Sequence, residues 1–265
     1  MTAMLEIRDL RKSYAGVHAV DGVSFDAEQG KITGLIGPNG SGKSTTIDCI
    51  AGFQKADSGR VVLGGTDITG RAAHEIARAG LMRTFQTVRV YDRLSLRDNL
   101  TIAAQQFDKA KWTDELLRTA RYRQAADAAE KRARELIDLV GLGRYYEAEA
   151  GILSYGQKKL TALAAALMPR PKIVVLDEPV AGVNPTRIRE IEEVLRRLNA
   201  AGETFLIVEH NVEFITNLCH HVVVLDQGRK LAEGTAAQIH TDARVLEAYL
   251  GMTPEMAEAE MRGAA

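Results

Sequence analysis

The sequence predicts an α/β fold: a parallel sheet covered by helices, with an N-terminal antiparallel β subdomain and a helical insert. Three observations carry this expectation. Apolar runs at 31–37 (KITGLIG), 172–176 (KIVVL), 204–208 (TFLIV) and 222–225 (VVVL) have the character of strands buried on both faces. In the second half these runs alternate with helical stretches, as a parallel sheet requires. Between about Leu94 and Leu142 the composition shifts to Ala, Arg, Glu, Gln and Leu, with apolar positions at helical spacing.

Taken in order, residues 4–10 and 17–28 read as strands around a turn near Ala15-Gly16, with Val23, Phe25 and Ala27 alternating against polar neighbours. The 31–37 run enters a glycine-rich turn. A helix over Ser44–Gly52 follows, stopped by Gly52. Residues 59–68 read as a hairpin-type pair and Ala72–Ala79 as a short helix. The insert is expected over about 87–168, and in it Leu136, Leu139 and Val140 form an i, i+3, i+4 face. Tyr155–Met168 reads as a helix ended by Pro169 and Pro171. Strand 172–176, amphipathic helix Arg187–Leu198, strand 204–208, helix 211–219 and strand 222–225 complete the alternation. One domain is expected over 1–251, with 252–265 as a peripheral tail.

Composition bounds the function. Thirty-four basic residues nearly cancel 35 acidic ones, which excludes a strongly basic chain held to nucleic acid by phosphate neutralisation alone. The longest apolar run, Ala162–Met168, falls far short of the ~20 residues of a membrane-spanning helix. Glu6, Arg8 and Asp9 stand where a signal peptide needs apolar residues. Cys49 and Cys219 lack CxxC spacing, which argues against a disulfide framework or a cysteine zinc site. These features describe a soluble, cytosolic chain.

The strongest motif is Gly37-Pro38-Asn39-Gly40-Ser41-Gly42-Lys43-Ser44, a match to G-x-x-x-x-G-K-[ST] between a strand and a helix, with Thr45 next in line. Its glycines let successive N–H groups turn inward, and with the helix N-terminus they form a polyphosphate cradle. Lys43 would reach the β- and γ-phosphates, and the Ser44 hydroxyl would ligate Mg²⁺. The 172–176 strand then delivers Asp177 and Glu178 to the carboxyl edge of the sheet, where α/β ligands bind. Asp177 would hold Mg²⁺ through water, and Glu178 would polarise the water that attacks the γ-phosphate. His210, after strand 204–208, can reach the same edge. Gln86 precedes the insert, and its amide suits both metal ligation and water binding. Ser154 opens a helix as an N-cap; the alternative is a second anion site with the Gly156 N–H.

These elements, in this order, resemble the nucleotide-binding subunit of ATP-binding-cassette (ABC) transporters, from Leu5 to about Gly251. GPNGSGKS is similar to the Walker A loop, VVLDE to Walker B with its catalytic glutamate, and LSYGQ (Leu153–Gln157) to the LSGGQ signature. The resemblance implies a P-loop NTPase core. It also implies Gln86 as the Q-loop, His210 as the switch histidine, and Tyr14 as the aromatic that stacks on adenine. Tyr155 replaces a signature glycine and Asn184 replaces the D-loop aspartate. Both departures, RTFQ at 83–86 and VLEAYLG at 245–251 are similar to the branched-chain, or hydrophobic, amino-acid importer branch.

The implied cofactors are ATP and Mg²⁺. The implied partners are transmembrane permease subunits, a second ATPase chain (identical or a paralogue) and, indirectly, an external solute-binding protein; a nucleic-acid partner is not implied. The implied place is the cytoplasmic face of the inner membrane, where the chain would sit peripherally. Ser154, Gly156 and Gln157 would meet the γ-phosphate held by the second chain. Urea, short amides or lipid-type cargo stand as alternative solutes, and a soluble repair or translation ATPase as the alternative class. The absence of a guanine-reading NKxD string argues against a GTPase.

Overall fold

The computed structural model describes residues 2–105 and 119–250. The tail expected at 252–265, Gly251 and the 106–118 portion of the insert lie outside the described residues.

The chain opens with two long antiparallel strands, β1 (Ala3–Tyr14) and β2 (Val17–Glu28), joined at Ala15-Gly16. Both turn residues have positive φ (46° and 87°), which suits a tight hairpin. β4 (Ser58–Leu63) and β5 (Thr66–Asp67) extend this sheet in the order β2-β1-β4-β5. A second sheet of six strands runs β10-β9-β3-β8-β7-β6. Its members are β3 (Ile32–Ile36), β6 (Leu81–Arg83), β7 (Ile173–Asp177), β8 (Phe205–Val208), β9 (His221–Asp226) and β10 (Arg229–Gly234). All neighbours are parallel except β9–β10, which form an antiparallel hairpin.

The apolar runs are explained by burial on both faces. In β7, Ile173 and Val175 enter the core beneath the antiparallel sheet, while Val174 and Leu176 enter the core beneath the helices. In β8, Leu206 and Val208 take the first side and Phe205 and Ile207 the second. A strand with two dry faces shows no polar alternation. The side-chain period of two survives only as alternate membership of two cores.

The helices are α1 (Lys43–Ile50), α2 (Ala73–Ala79), α3 (Leu96–Gln105), α4 (Ala120–Leu139), α5 (Tyr155–Leu167), α6 (Pro185–Ala200), α7 (Val212–Leu218), α8 (Ala236–Thr241) and α9 (Ala243–Leu250). Leu96 and Leu100 of α3 and Ala133, Leu136 and Ile137 of α4 share one core with Val174 and Leu176 of the sheet. α6 begins where Asn184 accepts the Thr186 N–H (3.0 Å) and Pro185 occupies the first helical position. The amide at the D-loop departure thus serves as a helix cap. β6, β10, α8 and α9 are additions to the elements expected from sequence.

Phe205 is fully buried at the centre of the sheet. Phe205→Ala is expected to cost about 3–5 kcal/mol, read as a lower urea midpoint at unchanged slope.

Candidate functional site

Parallel strands end on the same edge, so the segments after β3, β7 and β8 converge. After β3 the chain turns through residues 37–42 into α1. A Cβ on Gly37 would lie 2.2 Å from the Leu225 carbonyl oxygen and 2.4 Å from Ser41 Oγ. Gly42 sits at φ +96°, and its Cβ would lie 2.2 Å from the Ala19 carbonyl oxygen. The loop is therefore pressed against β2 and the β9–β10 turn, where the Gly228 N–H donates to the Ser41 carbonyl (3.1 Å). The Thr46 N–H donates to Gly42 O (2.8 Å), leaving the preceding N–H groups directed out of the helix end. Lys43 is buried and donates to the carbonyls of Gly37 (2.7 Å) and Pro38 (2.9 Å) and, at 3.4 Å, to Ser41 Oγ. Burial lowers its pKa, and nearby Glu178 opposes that shift.

β7 ends in Asp177, whose Oδ2 accepts from Arg83 Nη2 (2.8 Å). Glu178 follows in the left-handed region (φ 48°), a conformation a non-glycine residue holds only when its surroundings impose it. The Glu178 N–H donates to Val208 O (2.8 Å), and Lys159 Nζ donates to Glu178 O (2.6 Å). The carboxylate points to the site: Oε2 accepts from Gln86 Nε2 (2.8 Å), and Oε1 lies 4.0 Å from His210 Nδ1. Gln86, Glu178 and His210 are thus brought together at this edge.

Sequence reasoning missed Glu209. It is fully buried and accepts the N–H groups of Val180 (2.9 Å), His210 (3.1 Å) and Asn211 (3.4 Å). One carboxylate thereby ties the loop after Glu178 to the loop bearing His210. Lys159, also buried, loses basicity through desolvation, which the charges of Glu209 and Glu178 counter. A charged residue directly after an apolar strand was the available signal.

The LSYGQ turn is built as a capping box. Ser154 Oγ accepts the Gln157 N–H (3.4 Å), and Gln157 Oε1 accepts the Ser154 N–H (2.9 Å). Both readings of Ser154 therefore remain compatible with its position, since it caps the helix and stays exposed. Ser154 and Gly156 line a cavity with Gly182, Asn184 and Arg187, of about 480 Å³. Among the described residues, no hydrogen bond joins this turn to the phosphate loop. Tyr155 lies against Gly182, and Lys159 Nζ stands 5.4 Å from the centre of its ring. Tyr14 ends β1 half exposed, beside Lys12.

The residues fit a magnesium nucleotide. The loop leads into the N-terminus of α1, where first-turn N–H groups have no partner within the helix, Ser44 is exposed, and Asp177 has one oxygen committed to Arg83. No cluster of three or more His, Cys, Asp or Glu exists among the described residues to hold a metal. That donor set suits Mg²⁺, which takes one or two protein oxygens and completes its shell with phosphate and water.

Comparison with known proteins agrees with this geometry. The ABC transporter family profile matches residues 20–181, and that of the branched-chain amino acid ATP-binding cassette transporter matches 229–251. The high-affinity branched-chain amino acid transport ATP-binding protein BraF of Pseudomonas aeruginosa is 34% identical over 94% of this chain and 98% of its own. The probable branched-chain amino acid transport ATP-binding protein LivG of Archaeoglobus fulgidus is 35% identical over 94% of this chain and 95% of its own. A crystal structure of the ADP conformation of an ATP-binding cassette from an ABC transporter superposes with a TM-score of 0.82 at 35% identity, covering 95% of this chain and 100% of the other. The chain is a P-loop ATP-binding cassette and belongs to the ABC transporter family. Within that family it is similar to the branched-chain amino acid transport ATP-binding proteins.

Glu209→Ala would orphan three backbone N–H groups at about 1–3 kcal/mol each, less than additively. The expected outcome is a lower melting temperature with Glu209→Gln intermediate, measured by thermal denaturation.

Proposed function

We propose that this chain is the ATP-hydrolysing subunit of an ABC importer for branched-chain or other hydrophobic amino acids. The observation that carries the reading is the grouping of Glu178, Gln86 and His210 on the sheet edge that also bears the phosphate loop. The names of its relatives and the match at 229–251 point to the solute class.

In this reading the 37–45 loop binds the polyphosphate through backbone N–H groups and Lys43, whose long contact to Ser41 Oγ (3.4 Å) is the one a phosphate oxygen can replace. Ser44, Gln86 and Asp177 hold Mg²⁺, which when bound neutralises charge on the phosphates. Glu178 accepts the proton of the attacking water. Gln86 holds the Glu178 carboxylate and the water, and His210 contacts the γ-phosphate edge. Tyr14 stacks on the base.

Ser154, Gly156 and Gln157 act on the nucleotide of a second chain, identical or a paralogue. Hydrogen bonds to charged groups contribute about 1.5–3 kcal/mol each, and those made only in the closed pair bias ATP towards it. Loss of the γ-phosphate removes them, and the insert passes the opening to permease subunits fed by a binding protein. No helix among the described residues is long and apolar enough to cross a membrane. The proposed place, that of a transporter's ATPase subunit docked on separate permease chains, is peripheral, on the cytoplasmic face of the inner membrane.

Glu178→Gln is expected to preserve ATP binding, lower turnover by about 10²–10⁴-fold and accumulate an ATP-bound dimer on size exclusion. Turnover at the normal rate rules out the catalytic role. In vesicles containing the permease subunits and binding protein, leucine, isoleucine or valine should stimulate hydrolysis; stimulation by urea or a short amide instead would reassign the solute.

A further inference from the structure

Arg83 is a cation buried where a cation is expensive. Its side chain is 9% exposed, and it faces Asp48 of α1, 32% exposed, and Asp177 of β7, 12% exposed. One arm, Nη1, pairs with Asp48, and the other, Nη2, donates to Asp177 Oδ2 at 2.8 Å. Nε is buried with no hydrogen-bond partner among the described residues. The guanidinium is therefore held for its two carboxylates rather than for complete hydrogen bonding. The Phe53 and Phe85 rings flank it at 5.4 and 5.5 Å and meet each other edge-on at 5.4 Å. They confine it, as cation–π contacts do.

Topology gives this placement a purpose. β6 pairs with β7 so that Arg83 is opposite Val175, two residues before Asp177. Two residues of strand rise about 6.6 Å, a gap that a long side chain lying along the sheet edge spans. Asp48 lies on the helix that the phosphate loop opens, five residues beyond Lys43. Arg83 thus links the phosphate-loop helix, the strand end bearing Asp177 and, through Phe85, the residue before Gln86.

We propose that Arg83 is a positioning residue for magnesium: it fixes Asp177 by occupying Oδ2, so that Oδ1 faces the metal's water shell. The proposal rests on the reading of Asp177 as a metal-site carboxylate. A carboxylate free to rotate offers either oxygen and loses part of its affinity in being ordered; a hydrogen-bonded one is already aimed, and such outer partners typically tune metal affinity by about 10–100-fold. Asp48 compensates the guanidinium charge, so the fork aims Asp177 without adding a net positive charge. The planar two-armed donor is what the geometry uses, and lysine, a single point donor, cannot join both carboxylates in the same way.

The test compares Arg83→Met, Arg83→Lys and Asp177→Asn in the full chain. A fluorescent ATP analogue is titrated in EDTA and then at increasing Mg²⁺, and kcat and KM are measured alongside. Arg83→Met is expected to bind the analogue in EDTA as the parent does. Its half-saturating Mg²⁺ should rise about tenfold, with a fall in kcat and little change in KM at saturating Mg²⁺. Arg83→Lys, which keeps the buried charge and guards against a folding failure of the Met variant, should shift in the same direction by a smaller factor.

An unchanged Mg²⁺ dependence in folded Arg83 variants, with Asp177→Asn shifted, overturns the role of Arg83 and leaves only a structural tie. A lower half-saturating Mg²⁺ overturns it as well, because Arg83 would then oppose the metal's charge. If Asp177→Asn itself leaves the Mg²⁺ dependence unchanged, it is the metal reading of Asp177 that fails, and this inference falls with it.

Discussion

The site depends on the common direction and register of β3, β8 and β7. Leu35 is level with Val208, and Val208 is level with Asp177. The three strands therefore end together, and the segments that follow them emerge side by side. The phosphate loop, the Asp177-Glu178 pair and the Glu209-His210 pair meet on one edge without any long loop having to bring them there. Both faces of these strands are packed, so sliding one strand by a residue would move its whole apolar set between the two cores. The hydrophobic requirement that fixes the register thus also fixes the spacing of the polar groups.

Fixed strand ends are then joined by buried charges. Glu209 accepts N–H groups from two loops, Lys159 reaches from α5 to the Glu178 carbonyl, and Arg83 spans α1 and β7. Each replaces hydration lost on burial with contacts between segments far apart in sequence. The helix bearing the LSYGQ turn is thereby connected to the loop bearing Glu178 within one chain. The left-handed backbone at Glu178 is held from two sides, by Val208 O and by Lys159.

Much of this was legible in the sequence where chemistry and local pattern coincide. The 37–44 loop follows its strand and opens α1, and the 172–176 run delivers Asp177. The 204–208 run delivers His210. The unread elements lacked such a pattern. β6 has three residues, too few for any periodicity, and β10 is a largely polar edge strand. Its hairpin did carry a signal in Gln227-Gly228, both at positive φ. Arg83 looks like an ordinary surface charge when read along the chain, and the signal at Glu209, a charge directly after an apolar strand, does not say which loops it joins. Asp48 and Asp177 lie 35 and 94 positions from Arg83, so only the sheet order makes its burial understandable.

The capping box at Ser154 and Gln157 also bears on association. Both side chains are anchored to backbone N–H groups in the single chain, and α5 behind them is largely buried. The turn that would face another subunit's nucleotide is already folded before the two meet. Closing over it then loses little conformational entropy at this segment, so the free energy of its phosphate contacts is available to hold the pair together.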